Sequence, residues 1–135
     1  MNWNTDDLGK LLLRLLVGGL LILHGIHKVF AGPHEIVSMV EASHLPGFLA
    51  YGVYLSEVLG PLMVIFGFYA RIGGLLILAD IIVAVLLAHG VNIFHLNGNG
   101  GWIIELELFY GLGGLAIVLL GAGKYSVAGD GGKWN

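Results

Sequence analysis

Six side chains in this sequence are of kinds that move protons or hold charge, and they stand among apolar neighbours. Arg14, Glu57, Asp80 and Glu105 fall inside long hydrophobic stretches, and His24 and Lys28 lie near the end of the first. A charge at the centre of a membrane helix costs about 2.5–3.5 kcal/mol. Several unpaired ones would cost as much as the roughly 5–15 kcal/mol that holds a domain together. They must therefore be neutralised, paired or hydrated, and exposure to lipid is excluded for them. Buried carboxyl and imidazole groups exchange protons near neutrality, so the chemistry on offer is acid–base. The absence of cysteine excludes disulfides, iron–sulfur ligation and c-type haem attachment. No nucleophile–base pair, phosphate-cradling loop or dinucleotide fingerprint is present, and the glycines of 95–101 read as a turn.

Helical geometry says which of these groups can meet. At 100° per residue, Arg14, Gly18, Leu21, His24, Gly25 and Lys28 share a sector about 120° wide, a stripe of polar and small residues suited to a bundle interior. Tyr54, Glu57 and Pro61 share a face of the second stretch, where the proline removes a backbone hydrogen bond close to Glu57. Asp80 is near the middle of the third stretch. Glu105 is one turn into the fourth, and Glu107 points nearly the opposite way. By depth, His24, Lys28, Glu57 and Glu105 share the outer half, which predicts a polar chamber open toward the outside. Arg14 lies deeper, where it either closes the chamber floor by pairing with an acid or snorkels to the inner surface.

The elements that must position them follow from hydropathy. The chain has 135 residues, of which 57% are hydrophobic and 11% charged, with a mean hydropathy of +0.89. A soluble domain carries roughly 25% charged residues, so much of this surface must face lipid. The 23 glycines agree, since glycine is common in membrane helices. Spanning takes about 20 apolar residues, and four stretches qualify: Leu8–Phe30, Leu49–Tyr69, Ile72–His89 and Trp102–Leu120. The expected fold is an all-α, four-transmembrane-helix bundle in one integral domain over 1–135. Gly32-Pro33 and Pro46-Gly47 bracket a segment whose Ile36, Val37 and Val40 share a face, read either as a short interfacial helix in the 1–2 loop or as irregular loop. The acidic Asp6 and Asp7 and the length of the first stretch argue for a retained signal-anchor over a cleaved signal peptide.

Lys10, Arg14, Arg71, Lys124 and Lys133 fall on the side holding both termini, and Lys28 alone falls on the other. That bias places both termini in the cytoplasm. Trp3, Trp102 and Tyr125 fall at interface depths. The net charge of −3 and the absence of a basic run exclude a nucleic-acid surface. The glycine-rich spans favour association, so a homodimer is expected. A bis-histidine haem between His24 and His89 is imaginable, but His89 is close to the surface and no metal-ligand spacing supports it. No intrinsic metal or haem is expected. Solvated interface residues remain the plain reading of Lys28, His27, His34, His44 and His95, and Tyr54 is open to a packing role.

Five motifs in order carry a family resemblance. Leu11-Leu-Leu-Arg14-Leu-Leu-Val-Gly18 precedes His24-Gly25-x-x-Lys28. Glu57 follows in the second stretch. Gly67-Phe68-Tyr69-Ala70-Arg71 has alanine where a threonine is usual. Gly100-Gly101-Trp102 leads into Glu105. Gly121-Ala122-Gly123-Lys124-Tyr125-Ser126 has alanine where a proline is usual. The chain thereby resembles the DoxX family of small bacterial four-helix membrane proteins over nearly its whole length. The resemblance implies the plasma (inner) membrane and a tie to quinone-linked oxidoreduction, including thiosulfate oxidation, membrane redox-stress complexes and resistance to quinone-like compounds. In that setting Glu57, Asp80 or His24 would exchange protons with a quinone ring, and electrons would come from a redox partner subunit or a bound substrate. The alternatives are a non-catalytic membrane scaffold, in which the charges only fix helix register, and a small-molecule or proton carrier.

Overall fold

The computed structural model describes residues 4–129 and 131–135, and the side chain of Val91 lies outside the description along with Trp3. Among the described residues five α-helices follow in order: α1 Thr5–Ala31, α2 His34–Ala42, α3 Ala50–Phe66, α4 Ala70–Ala88 and α5 Glu105–Leu120. Short 3-10 turns at Gly47–Leu49 and Gly90–Asn92 lead into α3 and out of α4. No strand forms among the described residues beyond an isolated bridge between Leu96 and Trp102.

Local chemistry sets each boundary. The helix α1 starts three residues ahead of the hydrophobic stretch because Asn4 caps it, its Oδ1 accepting from the Asp6 and Asp7 amides. Asp6 and Asp7 add negative charge in the first turn, where the helix dipole favours it. The segment after Gly32-Pro33 is helical, and its Ile36, Val37 and Val40 face turns inward, with Val40 buried. The helix α3 stops at Gly67, whose φ of +72° is left-handed; Gly67 and Phe68 both donate to the Met63 carbonyl. A Cβ on Gly67 would run into Ser126 and the Arg14 guanidinium, so glycine is required there for space as well as for conformation. Trp102 falls outside α5 because the 93–104 loop uses it: its indole N–H donates to the Ile93 carbonyl and its ring stacks on Phe94.

The bundle closes through glycines where backbones approach. Gly18 and Gly25 of α1 press on Pro61 and Glu57 of α3, Gly60 of α3 on Gly73 of α4, and Gly74 of α4 on Gly114 of α5. A Cβ at Gly114 would stand 2.8 Å from the Gly74 carbonyl oxygen, and one at Gly74 would stand 2.6 Å from that of Gly114. Such small-residue seams suit helices that meet in lipid, where dispersion and close approach replace the hydrophobic drive. Around them Val17, Leu21, Val64, Ile77, Ile81, Val85 and Ile117 form the core. The outer surface is apolar: Phe30 is 86% exposed, Phe109 77%, Leu119 70% and Leu12 67%. A surface of that kind is suited to hydrocarbon and not to water.

Among the described residues three helical segments are long and apolar enough to cross a membrane: Thr5–Ala31, Gly47–Phe66 and Ala70–Ala88. The fourth hydrophobic stretch shortens to the 16 residues of α5, about 24 Å at 1.5 Å per residue. The chain is thus an all-α, multi-pass helical bundle of membrane type.

Candidate functional site

At one end of the bundle the polar side chains are spent on holding the structure. Arg14 is 1% exposed, and its guanidinium donates four hydrogen bonds, none of them to an acid. Nε donates to the Val64 carbonyl at 2.9 Å and Nη2 to that of Ile65 at 3.0 Å, both in the last turn of α3. Nη1 donates to the carbonyls of Ala122 and Tyr125, each at 2.9 Å. The last carbonyls of a helix lack intrahelical donors, and Arg14 satisfies two of them while pinning the segment after α5. Arg71 does the same for α5, donating to the carbonyls of Val118 at 2.7 Å and Leu119 at 3.2 Å. The buried Asp7 accepts from the Lys124 amide at 3.1 Å, and the Asn135 side chain accepts from that of Ala70 at 3.0 Å. Of these only Arg14 stood out in the sequence as a candidate site residue.

At the other end Lys28, Glu57 and Asp80 come together from three helices. The Lys28 ammonium lies 2.6 Å from Glu57 Oε1, with the Glu57 side chain 4% exposed and that of Lys28 33%. Asp80 is buried on α4, on the side that faces Glu57 and Lys28. Among the described residues neither Asp80 oxygen nor Glu57 Oε2 has a hydrogen-bond donor. Tyr54 lies near the same corner, its hydroxyl 2.6 Å from the Gly32 carbonyl and 3.2 Å from that of Lys28 at the end of α1. Pro61 supplies no N–H to the Glu57 carbonyl four residues earlier, and Gly25 of α1 packs against that carbonyl.

The other two expected members of the polar chamber lie elsewhere. His24 is exposed and meets the Tyr110 ring edge-on, with centroids 5.9 Å apart. Glu105 is exposed at the start of α5 and accepts from Asn97 Nδ2 at 3.3 Å. It is Glu107 that turns toward a partner, its Oε1 3.3 Å from Nε2 of His89 on α4. Among the described residues no three His, Asp or Glu side chains converge as they would around a metal ion.

A groove of about 610 Å³ runs along the seam between α1 and α5. Leu13, Leu16, Val17 and Leu20 form one wall, and Leu106, Phe109, Leu112 and Gly113 the other; Glu105 and Tyr110 are also among the lining residues. Glu57 and Asp80 do not line it. The volume falls in the range of small-molecule sites, roughly 300–1,000 Å³. Because both walls belong to outward-facing helix surfaces, the groove is open to whatever surrounds the bundle.

Compared with known proteins, residues 9–90 match the family model described as DoxX. A protein of Bacillus subtilis (strain 168) described as "Putative oxidoreductase CatD" is 34% identical over 80 residues. That alignment covers 59% of this chain and 59% of the relative, so the chain spans well under two thirds of the relative's length. No solved structure matches.

Proposed function

The chain belongs to the DoxX family, and from that premise we propose that it is a quinone-linked redox component of the bacterial inner membrane. In this reading α5, extended by Trp102–Ile104 and the residues after it, makes a fourth span, both termini are cytoplasmic, and two copies associate. The single observation that carries the proposal is the open groove between α1 and α5, apolar along its length, with Glu105 and Tyr110 among the residues that line it. That is the shape and polarity suited to a flat ring with a hydrocarbon tail arriving through the bilayer. Similarity to a protein described as an oxidoreductase supports the same class of chemistry.

Reduction of a quinone to a quinol takes two electrons and two protons. Tyr110, Glu105 and the nearby His24 are the groups that could exchange protons at the ring, and the electrons come from a partner subunit or a bound substrate. The test is to titrate the detergent-purified chain with a short-tailed benzoquinone and follow tryptophan and tyrosine fluorescence. We expect saturable quenching, weakened at least tenfold by Leu16→Trp, which fills the groove from an exposed position; tenfold corresponds to about 1.4 kcal/mol. Quenching that rises without saturation and equally in both proteins would contradict it. A scaffold role is the second reading, favoured by Arg14 and Arg71, whose bonds hold structure alone.

A further inference from the structure

We infer that Glu57 and Asp80 together form a binding site for one exchangeable proton inside the bundle, connected by Lys28 to the end where α1 meets α2. The site is separate from the α1–α5 groove and does not depend on what the groove holds.

Three observations carry it. Both carboxyls are almost completely buried, each residue being 3% exposed, and three of their four oxygens have no donor among the described residues. A buried acceptor without a donor is costly, and here there are three in one place. Second, Gly60 of α3 packs on Ile77 of α4, and Glu57 and Asp80 stand one turn further along the two helices at that contact, so the packing brings the two carboxyls to the same level. Two ionised carboxylates are both acceptors, so this approach makes a bond only when one of them carries a hydrogen. Third, the charges do not cancel. Lys28 from α1, Glu57 from α3 and Asp80 from α4 sum to −1, and Lys28 and Glu57 are the charged groups Asp80 faces. One added positive charge makes the cluster neutral in a medium that penalises any net charge. A proton supplies that charge and the missing hydrogen bond at once. It adds to one carboxylate oxygen to give a carboxylic acid that donates to the other carboxylate, and no other bond changes.

Lys28 gives the site a direction. Its ammonium is held on Glu57 Oε1, while its side chain is one third exposed, so the proton's route to water runs past it. Tyr54 holds the Lys28 and Gly32 carbonyls beside that route.

Infrared difference spectroscopy tests this on the purified full chain in lipid, with no quinone added. At neutral pH we expect a protonated-carboxyl C=O stretch that shifts in D2O and disappears in both Asp80→Asn and Glu57→Gln. Glu105→Gln should leave it in place, and replacing sodium by potassium or choline should not alter it. If both carboxyls are ionised at neutral pH, or the band survives both substitutions, the inference fails. A band that appears only when sodium is removed would show a metal cation taking the added charge and would equally overturn it. The wild-type D2O shift needs no variant, so a variant that fails to fold does not rescue the idea. Failure here with saturable quinone binding in the groove would separate this inference from the proposed function.

Discussion

Replacing Arg14 tests whether the bundle end is held by geometry or only by charge. The guanidinium makes four bonds to carbonyls of Val64, Ile65, Ala122 and Tyr125, from a position 1% exposed. At about 1.5–3 kcal/mol for a hydrogen bond to a charged group, the nominal sum is about 6–12 kcal/mol. Two corrections reduce it. Removing the charge also removes its desolvation cost of several kcal/mol, and water can reach some of the freed carbonyls at the bundle end. We expect Arg14→Leu to lose about 2–4 kcal/mol, a large share of a typical 5–15 kcal/mol. Arg14→Lys is the sharper case. It keeps the positive charge near the end of α3, an interaction worth at most about 1–2 kcal/mol. It has three donors in place of five and no planar fork, so we expect it to lose about as much as leucine. The assay is denaturant unfolding in detergent micelles, with hydrogen exchange at the Val127 amide, which donates to the Phe66 carbonyl at 2.9 Å. Should Arg14→Lys unfold within about 0.5 kcal/mol of the wild type, with unchanged exchange at Val127, the fork geometry is irrelevant and the reasoning is wrong.

The glycine seams give a paired expectation. Gly114→Ala drives a methyl against the Gly74 carbonyl, and backbone does not yield cheaply, so the loss should be about 1–3 kcal/mol; Gly19→Ala, with open space around it, should be neutral or slightly stabilising in the same unfolding assay. Tyr54→Phe removes the donor to the Gly32 and Lys28 carbonyls, and we expect about 0.5–1.5 kcal/mol of lost stability with faster amide exchange at the α1–α2 corner. Glu107→Gln should cost under about 1 kcal/mol by unfolding, because both it and His89 remain partly accessible.

The inward stripe of α1 was legible from spacing alone, because a helix that buries small and polar residues on one face leaves a 100° signature. Arg14, Gly18, Leu21 and Gly25 are indeed buried, whereas His24 at the edge of the sector is exposed. The face of Glu57 and Pro61 was legible for the same reason; the α2 face of Ile36, Val37 and Val40 was only one of two readings, since a segment of nine residues carries too short a pattern to exclude an irregular loop. The helix α4 is apolar on every side, so its sequence carries no amphipathic signal for which way Asp80 turns. For Glu105 and Glu107 the arithmetic showed only that they oppose one another; His89, on a different helix, decides which is paired. The partners of Arg14 left no sequence trace, since they are backbone carbonyls 50 to 111 positions away. Nor did the fold of the segment after α5, whose bonds run largely through main-chain atoms.

The claim that this chain engages a lipid-soluble quinone in the α1–α5 groove is tested most directly by photochemical labelling. A photoreactive quinone is irradiated with the purified chain in lipid, and the modified residues are mapped by mass spectrometry. We expect adducts concentrated on Leu13, Leu16, Leu20, Phe109 and Leu112, and competed away by excess unlabelled quinone. Adducts spread evenly over the exposed leucines and phenylalanines of α3 and α4, and indifferent to competitor, would contradict it.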